Sequence, residues 1–318
     1  MNRYYVDLSW QVKILRTIFI SLLLVGLLSV KDAAALGSEM QSPSWKELKY
    51  VATILFFSAA ADIKYTPAGA DLYAPHSIDV NRDLTLDLAN SKPLTGKKGK
   101  VEQLVLYSDF MGKQSNISLF FESNLNALQR TQLDSGRKHR FKLYQFLEKG
   151  VYSLRLNPKS GQEHFPPSKW ADKGEQHFQY PSNLDLKQPV LDATSLFYVM
   201  SAGLFNKPGD QASFIVFAKG QLLVLQFLAK EWTVLETDYF EQSGGEKVNI
   251  ESEQKVLRII LKATPLVPGK KSTEFEFIGL KGDLNFYIDT RKRLLLQLSG
   301  AVKIVGTVDI VLRNVTLN

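Results

Sequence analysis

The sequence predicts an all-β fold: a large curved antiparallel sheet, or an incomplete β-barrel, carrying one short helix. Three observations predict it. Apolar and polar residues alternate with period two through most of the chain beyond residue 45. The alternating runs are joined by Lys-Gly or Gly-Asp pairs, the layout of antiparallel hairpins. Only one substantial stretch, residues 192–205, spaces its apolar side chains as a helix would.

The elements follow in order. Residues 1–35 have the architecture of a secretory signal peptide. Arg3, Lys13 and Arg16 form a basic leader, TIFISLLLVGLLSV an apolar core, and Ala33 and Ala35 an A-x-A site. That core is shorter than the roughly 20 residues a spanning helix needs. Cleavage is expected near Ala35, with retention as an anchor the alternative. The remainder, residues 41–318, reads as a single β-rich domain. Its opening stretch LKYVATILFFSAAADIKY is rich in aromatic and β-branched residues and bends at small ones, so it reads as a strand pair of the core.

VEQLVLYSDF and NISLFFES form a candidate hairpin, and RFKLYQFLEKGVYSLRLNP a second. In the latter, Phe141, Leu143 and Gln145 alternate with Lys142, Tyr144 and Phe146. Beyond it, Val151, Ser153 and Arg155 alternate with Tyr152, Leu154 and Leu156. Residues 157–189 carry five prolines and are expected to be irregular. In DATSLFYVMSAGLF, Asp192 can cap a helix striped by Leu196, Val199, Met200 and Gly203, stopped by Lys207-Pro208-Gly209. Further alternating runs follow, among them Leu222, Val224 and Gln226 beside Leu223, Leu225 and Phe227. At the end, Val302, Ile304, Val308, Ile310 and Leu312 read as one face of a long strand. Long strands in series point to strong curvature.

Composition excludes several chemistries. With no cysteine there are no disulfides, thiol nucleophiles or thiolate metal sites, and no lipid-bearing residue of a lipoprotein. The formal charge is +7, and removal of residues 1–35 takes four basic and two acidic residues. Such a balance suits an anionic partner. The basic clusters, however, sit at candidate turns: Lys97, Lys98 and Lys100; Arg137, Lys138 and Arg140; Arg291, Lys292 and Arg293. They read as solvated strand ends, and no nucleic-acid partner is expected.

Catalytic motifs are missing: there is no G-x-S-x-G elbow, phosphate loop or H-E-x-x-H. His76, His139, His164 and His177 form no close pair, and a metal set of His164, His177, Glu163 and Glu175 would need the irregular loop to fold back. No catalytic residue, metal or cofactor is therefore expected. The loop QEHFPPSKWADKGEQHFQYPSN gathers Phe165, Trp170, His177, Phe178 and Tyr180, which are the candidate ligand-binding residues. The competing reading is that these rings cover one end of the sheet. Loop and helix are expected side by side at one rim.

The order of elements resembles the bacterial exported proteins grouped as domain of unknown function number 3108. The resemblance runs through LKYVATILFFSAAADIKY, RKHRFKLYQFLEKGVYSLRL, DATSLFYVM with the following Gly209-Asp210, LNFYIDTRKRLLLQL and VGTVDIVLRN. The chain departs at Met200 and Ser201, where such proteins tend to carry an arginine. The resemblance implies a periplasmic or surface-associated protein of a Gram-negative bacterium and supplies no catalytic residue. The expected function is that of a non-enzymatic exported protein holding an apolar or amphiphilic envelope ligand, such as a lipid. It would be peripheral to the membrane rather than spanning it. The alternatives are an envelope assembly factor pairing with proteins through a sheet edge, and a hydrolase with an unrecognised site.

Overall fold

The computed structural model describes residues 40–54, 57–68, 101–110, 112–185, 188–267, 274–303 and 305–318. Residues 1–35, expected to be a signal peptide, together with Phe56, His76, Ile304 and the cluster of Lys97, Lys98 and Lys100, lie outside the described residues.

The first half is a meander: β1 (Trp45–Ile54), β2 (Phe57–Thr66), β3 (Val101–Phe110), β4 (Lys113–Glu122), β5 (Ala127–Gly136), β6 (Arg140–Leu147), β7 (Gly150–Asn157) and β8 (Asp172–Gln179). Each strand pairs antiparallel with the one before it. A short β9 (Val190–Asp192) and helix α1 (Leu196–Ser201) then lead into a second run. Its strands are β10 (Gln211–Ala218), β11 (Gln221–Ser243), β12 (Glu246–Pro265), β13 (Glu276–Phe277), β14 (Leu280–Asp289), β15 (Leu294–Val302) and β16 (Gly306–Leu317). Pairing of β16 with β1 joins the halves into one sheet, with β8 at one edge and β9 at the other.

The expected all-β curved sheet is present, but it is mixed rather than purely antiparallel. β9 runs parallel to β10, and Phe240, Glu241 and Gln242 of β11 pair in parallel with Asn314, Val315 and Thr316. The second contact closes β11, β12, β14, β15 and β16 into a partial ring. Strand length drives it. β11 has 23 residues and β12 has 20, against a usual five or six. A hairpin that long twists and bends, and the register shift between Ala229 and Glu231 sharpens the bend.

The strand pair at residues 45–66 is formed as its composition implies. Ala61 stands opposite Tyr50, leaving room for a buried ring whose hydroxyl donates to the Leu295 carbonyl at 2.7 Å. Two elements differ from expectation. Residues 302–313 are not one strand: Lys303 and Val305 lie in the turn of the β15–β16 hairpin, and Gly306 takes a φ of +92° that favours glycine. The alternation nevertheless holds beyond the turn, with Val308, Ile310 and Leu312 buried. The helix is also shorter than residues 192–205. Asp192 does cap, its Oδ1 accepting from the Thr194 amide at 2.9 Å, but it caps a 3₁₀ turn that precedes α1.

α1 is buried on all sides rather than along one stripe. It fills the concave face of the sheet. Tyr198 meets Tyr65 and Phe121 edge-on, and Phe197 meets Tyr50 and Phe277. The indole N–H of Trp45 donates to Ser201 Oγ at 2.8 Å, tying β1 to the helix. The main core is therefore a sheet closed over its own helix. A smaller cluster lies on the convex face of β6 and β7: Phe141, Leu143, Leu147, Tyr152, Leu154, Leu156 and Trp170. Because side chains alternate between faces, Tyr144, Phe146 and Val151 of the same strands reach the concave side. Among the described residues no helix is long and apolar enough to cross a membrane.

Candidate functional site

The residues 162–183 do not form one lip. Residues 167–169 make a 3₁₀ turn, and residues 172–179, expected to be irregular, are strand β8. The prolines flank this strand instead of interrupting it. Trp170 is buried in the convex cluster, and its indole N–H is shared between the carbonyls of Gln162 and Phe165, each at 3.0 Å. Phe165 lies beside it, 42% exposed, with its ring 4.1 Å from that of His164. These two residues thus sit on the outer face, and α1 lies inside the sheet. The expected pairing of loop and helix at one rim does not form.

His177, Phe178 and Tyr180 do come together. They line a cleft of about 370 Å³ with Gln179, Pro181, Phe217, Gly220, Gln221, Leu222, Pro265 and Val267. The cleft lies where the last residues of β8 approach the β10–β11 turn and the end of β12. Two close approaches fix it. The turn residues Lys219 and Gly220 both have positive φ, 49° and 81°, the geometry of a two-residue hairpin turn. A Cβ on Gly220 would stand 2.7 Å from Phe178 Cε1, so the ring packs directly on the turn. At the other end a Cβ on Gly150 would meet the Phe178 carbonyl at 2.3 Å, so only glycine lets β7 and β8 pair there.

An aromatic run leads inward from the cleft. Phe178 lies 5.3 Å from Phe217, and Phe217 lies 5.7 Å from Tyr144. Tyr180 anchors the wall through its amide, which donates to the Lys149 carbonyl at 3.0 Å. Its hydroxyl is buried with no hydrogen-bond partner among the described residues, and burial pushes the phenol above the ordinary tyrosine value. A buried hydroxyl left unpaired costs roughly 1–3 kcal/mol, and the packing of the Tyr180 ring carries that cost. His177 is exposed at the outer lip.

A second cavity, about 510 Å³, opens between the β11–β12 hairpin and β15–β16. Glu236, Asp238, Glu251 and Glu253 line it, and its one cation, Arg313, is already held by Asp238 at 2.7 Å. Its carboxylates repel anions, although Leu235, Tyr239, Leu296, Val311 and Leu312 also line it. No three His, Asp or Glu side chains converge as a metal-ligand set among the described residues. Phe217, Leu222 and Val267 escaped the sequence reading as cleft residues. The Lys219-Gly220 turn marks a hairpin end, but nothing local says that this end meets β8.

Comparison of the chain with protein-family models, with curated proteins and with solved structures gave no match.

Proposed function

We propose that this protein is a non-enzymatic, exported component of a bacterial envelope that binds an apolar or amphiphilic ligand in the cleft between β8 and the β10–β11 turn. One observation carries the reading. The cleft sets the apolar side chains of Phe178, Phe217, Leu222 and Val267 beside the polar side chains of His177, Gln179 and Gln221. A volume of about 370 Å³ lies inside the range of about 300–1,000 Å³ seen for small-molecule sites. Export rests on the signal architecture of residues 1–35. Pairing with a protein through the β8 edge is less favoured, because Asp172, Lys173, Glu175 and His177 place charge and polarity along that edge.

The test is titration with the neutral probe N-phenyl-1-naphthylamine. Binding should be saturable and should fall at least about tenfold in Leu222→Glu, which places a charge in the apolar wall. Trp170→Ala is the control. It should lose about 3 kcal/mol of stability, as a truncated core aromatic does, yet bind the probe normally while folded. Equal binding by wild type and Leu222→Glu would remove the cleft from the reading.

A further inference from the structure

The concave face of β5, β6 and β7 carries four cations, of which the fold pairs only two with carboxylates. Lys142 on β6 stands directly opposite Arg155 on β7 and Gln132 on β5. Arg140 lies two residues away on the same face of β6, and Arg130 two residues from Gln132 on β5. Arg140 and Arg130 meet carboxylates, those of Asp134 and Asp192. Among the described residues no carboxylate lies within ion-pair distance of Lys142 or Arg155, although Asp134 acts on Lys142 from farther off. Like charges facing each other across two strands destabilise a sheet, so this pair needs a reason. Gly174, opposite Arg155 on the edge strand, has no side chain, so the guanidinium lies across it, with Nη2 3.4 Å from where a Cβ would stand. Burial, and then the charges of Arg140 and Arg130, press the pKa of Lys142 down to about 8 against the opposing pull of Asp134, as expected of a desolvated ammonium among like charges.

The same face continues toward the cleft. Arg130 lies 5.4 Å over the ring of Tyr144, and Tyr144, Phe217 and Phe178 then follow in contact. We infer that Lys142 and Arg155, with Arg140 and Arg130 behind them, receive the phosphate group of an amphiphile whose apolar part lies in the cleft at Phe178. This deepens, and rests on, the reading of that cleft as a ligand site. Phosphate suits the group better than a carboxylate does. It carries about −1.5 to −2 charges and several strong acceptor oxygens, matching a fork-shaped guanidinium and a compact ammonium side by side.

Three soluble probes below their micelle concentrations separate the possibilities: dodecyl phosphate, an uncharged dodecyl polyoxyethylene ether, and inorganic phosphate. Dodecyl phosphate should bind at least about tenfold tighter than the neutral ether, the size of effect a charge-assisted hydrogen bond gives. In Lys142→Gln/Arg155→Gln the two should bind alike, while affinity for the neutral ether is unchanged. Removing a repelling pair should not weaken the fold, and equal or higher thermal stability of the double variant checks this. Equal binding of both alkyl compounds by the wild type would overturn the phosphate site and leave the cleft standing. Inorganic phosphate binding as tightly as dodecyl phosphate would overturn the amphiphile in favour of a free anion. Binding of neither alkyl compound would overturn both readings.

Discussion

Replacing Trp45 with alanine is expected to lower the melting temperature by about 6–10 °C. The indole is fully buried, it meets the Tyr65 ring edge-on at 5.9 Å, and its N–H is bonded to Ser201. Emptying such a site costs about 3–5 kcal/mol, and a chain of this size shifts by roughly 2 °C per kcal/mol. The contact matters beyond its own area. It joins the strand that links both halves of the sheet to the helix that fills the concave face. Trp45→Phe keeps most of the volume and loses the donor, so about 1–2 kcal/mol is expected. Thermal unfolding followed by circular dichroism measures both. An unchanged melting temperature in Trp45→Ala would mean that α1 is not anchored on β1.

The second large effect lies at Asp134, which is completely buried on β5. Burial works against its ionised form, but hydrogen bonds from Gln132, Ser115 and Arg140, and the Arg140 charge, more than offset this and lower its pKa below 3.8. Arg140 binds Oδ2 through Nε at 3.0 Å and through Nη2 at 2.5 Å. A carboxyl with a depressed folded pKa contributes stability that is present above its unfolded value and is lost as pH falls through the folded one. Asp134→Asn should therefore cost about 3 kcal/mol at pH 7, since it strands a partly buried guanidinium. The gap between wild type and variant should narrow below pH 4. Urea unfolding at pH 7, 5 and 3 tests it, and a gap independent of pH would show that the ion pair contributes nothing. Glu102 acts in the opposite sense: burial raises its pKa against a hydrogen bond from Tyr65, so its ionisation subtracts stability.

The parts of this fold that were legible in the sequence are those with one buried and one solvated face. β16 shows it: Val308, Ile310 and Leu312 are buried and alternate with Thr307, Asp309 and Val311 because the sheet separates two different environments there. β8 was illegible for the complementary reason. As an edge strand it is exposed on most of both sides, so DKGEQHFQ carries no apolar face to betray a period of two. α1 misled in another way. A helix buried all round has no stripe to read, and its six residues are too few to set a length. The ring contact between β11 and β16 spans three residue pairs more than seventy positions apart, and no local signal encodes such a pairing.

The candidate site divides along the same line. Phe178 and Tyr180 could be singled out as rings on a proline-flanked segment, but so could Phe165 and Trp170. Only the alternation of faces along β7 and β8, once β8 is known to be a strand, sends the first pair toward the cleft. The Lys142 and Arg155 pair shows the limit most plainly. Both residues were visible as members of alternating runs, yet their confrontation depends on the register of the β6–β7 hairpin.

The most direct measurement is native mass spectrometry of the protein purified from bacterial envelopes without added detergent. A bound mass of amphiphile size should persist in the wild type and be absent from Leu222→Glu prepared in the same way. A wild-type spectrum showing only the bare chain, under conditions in which a control lipid-binding protein keeps its ligand, would contradict the ligand-binding role assigned to the cleft.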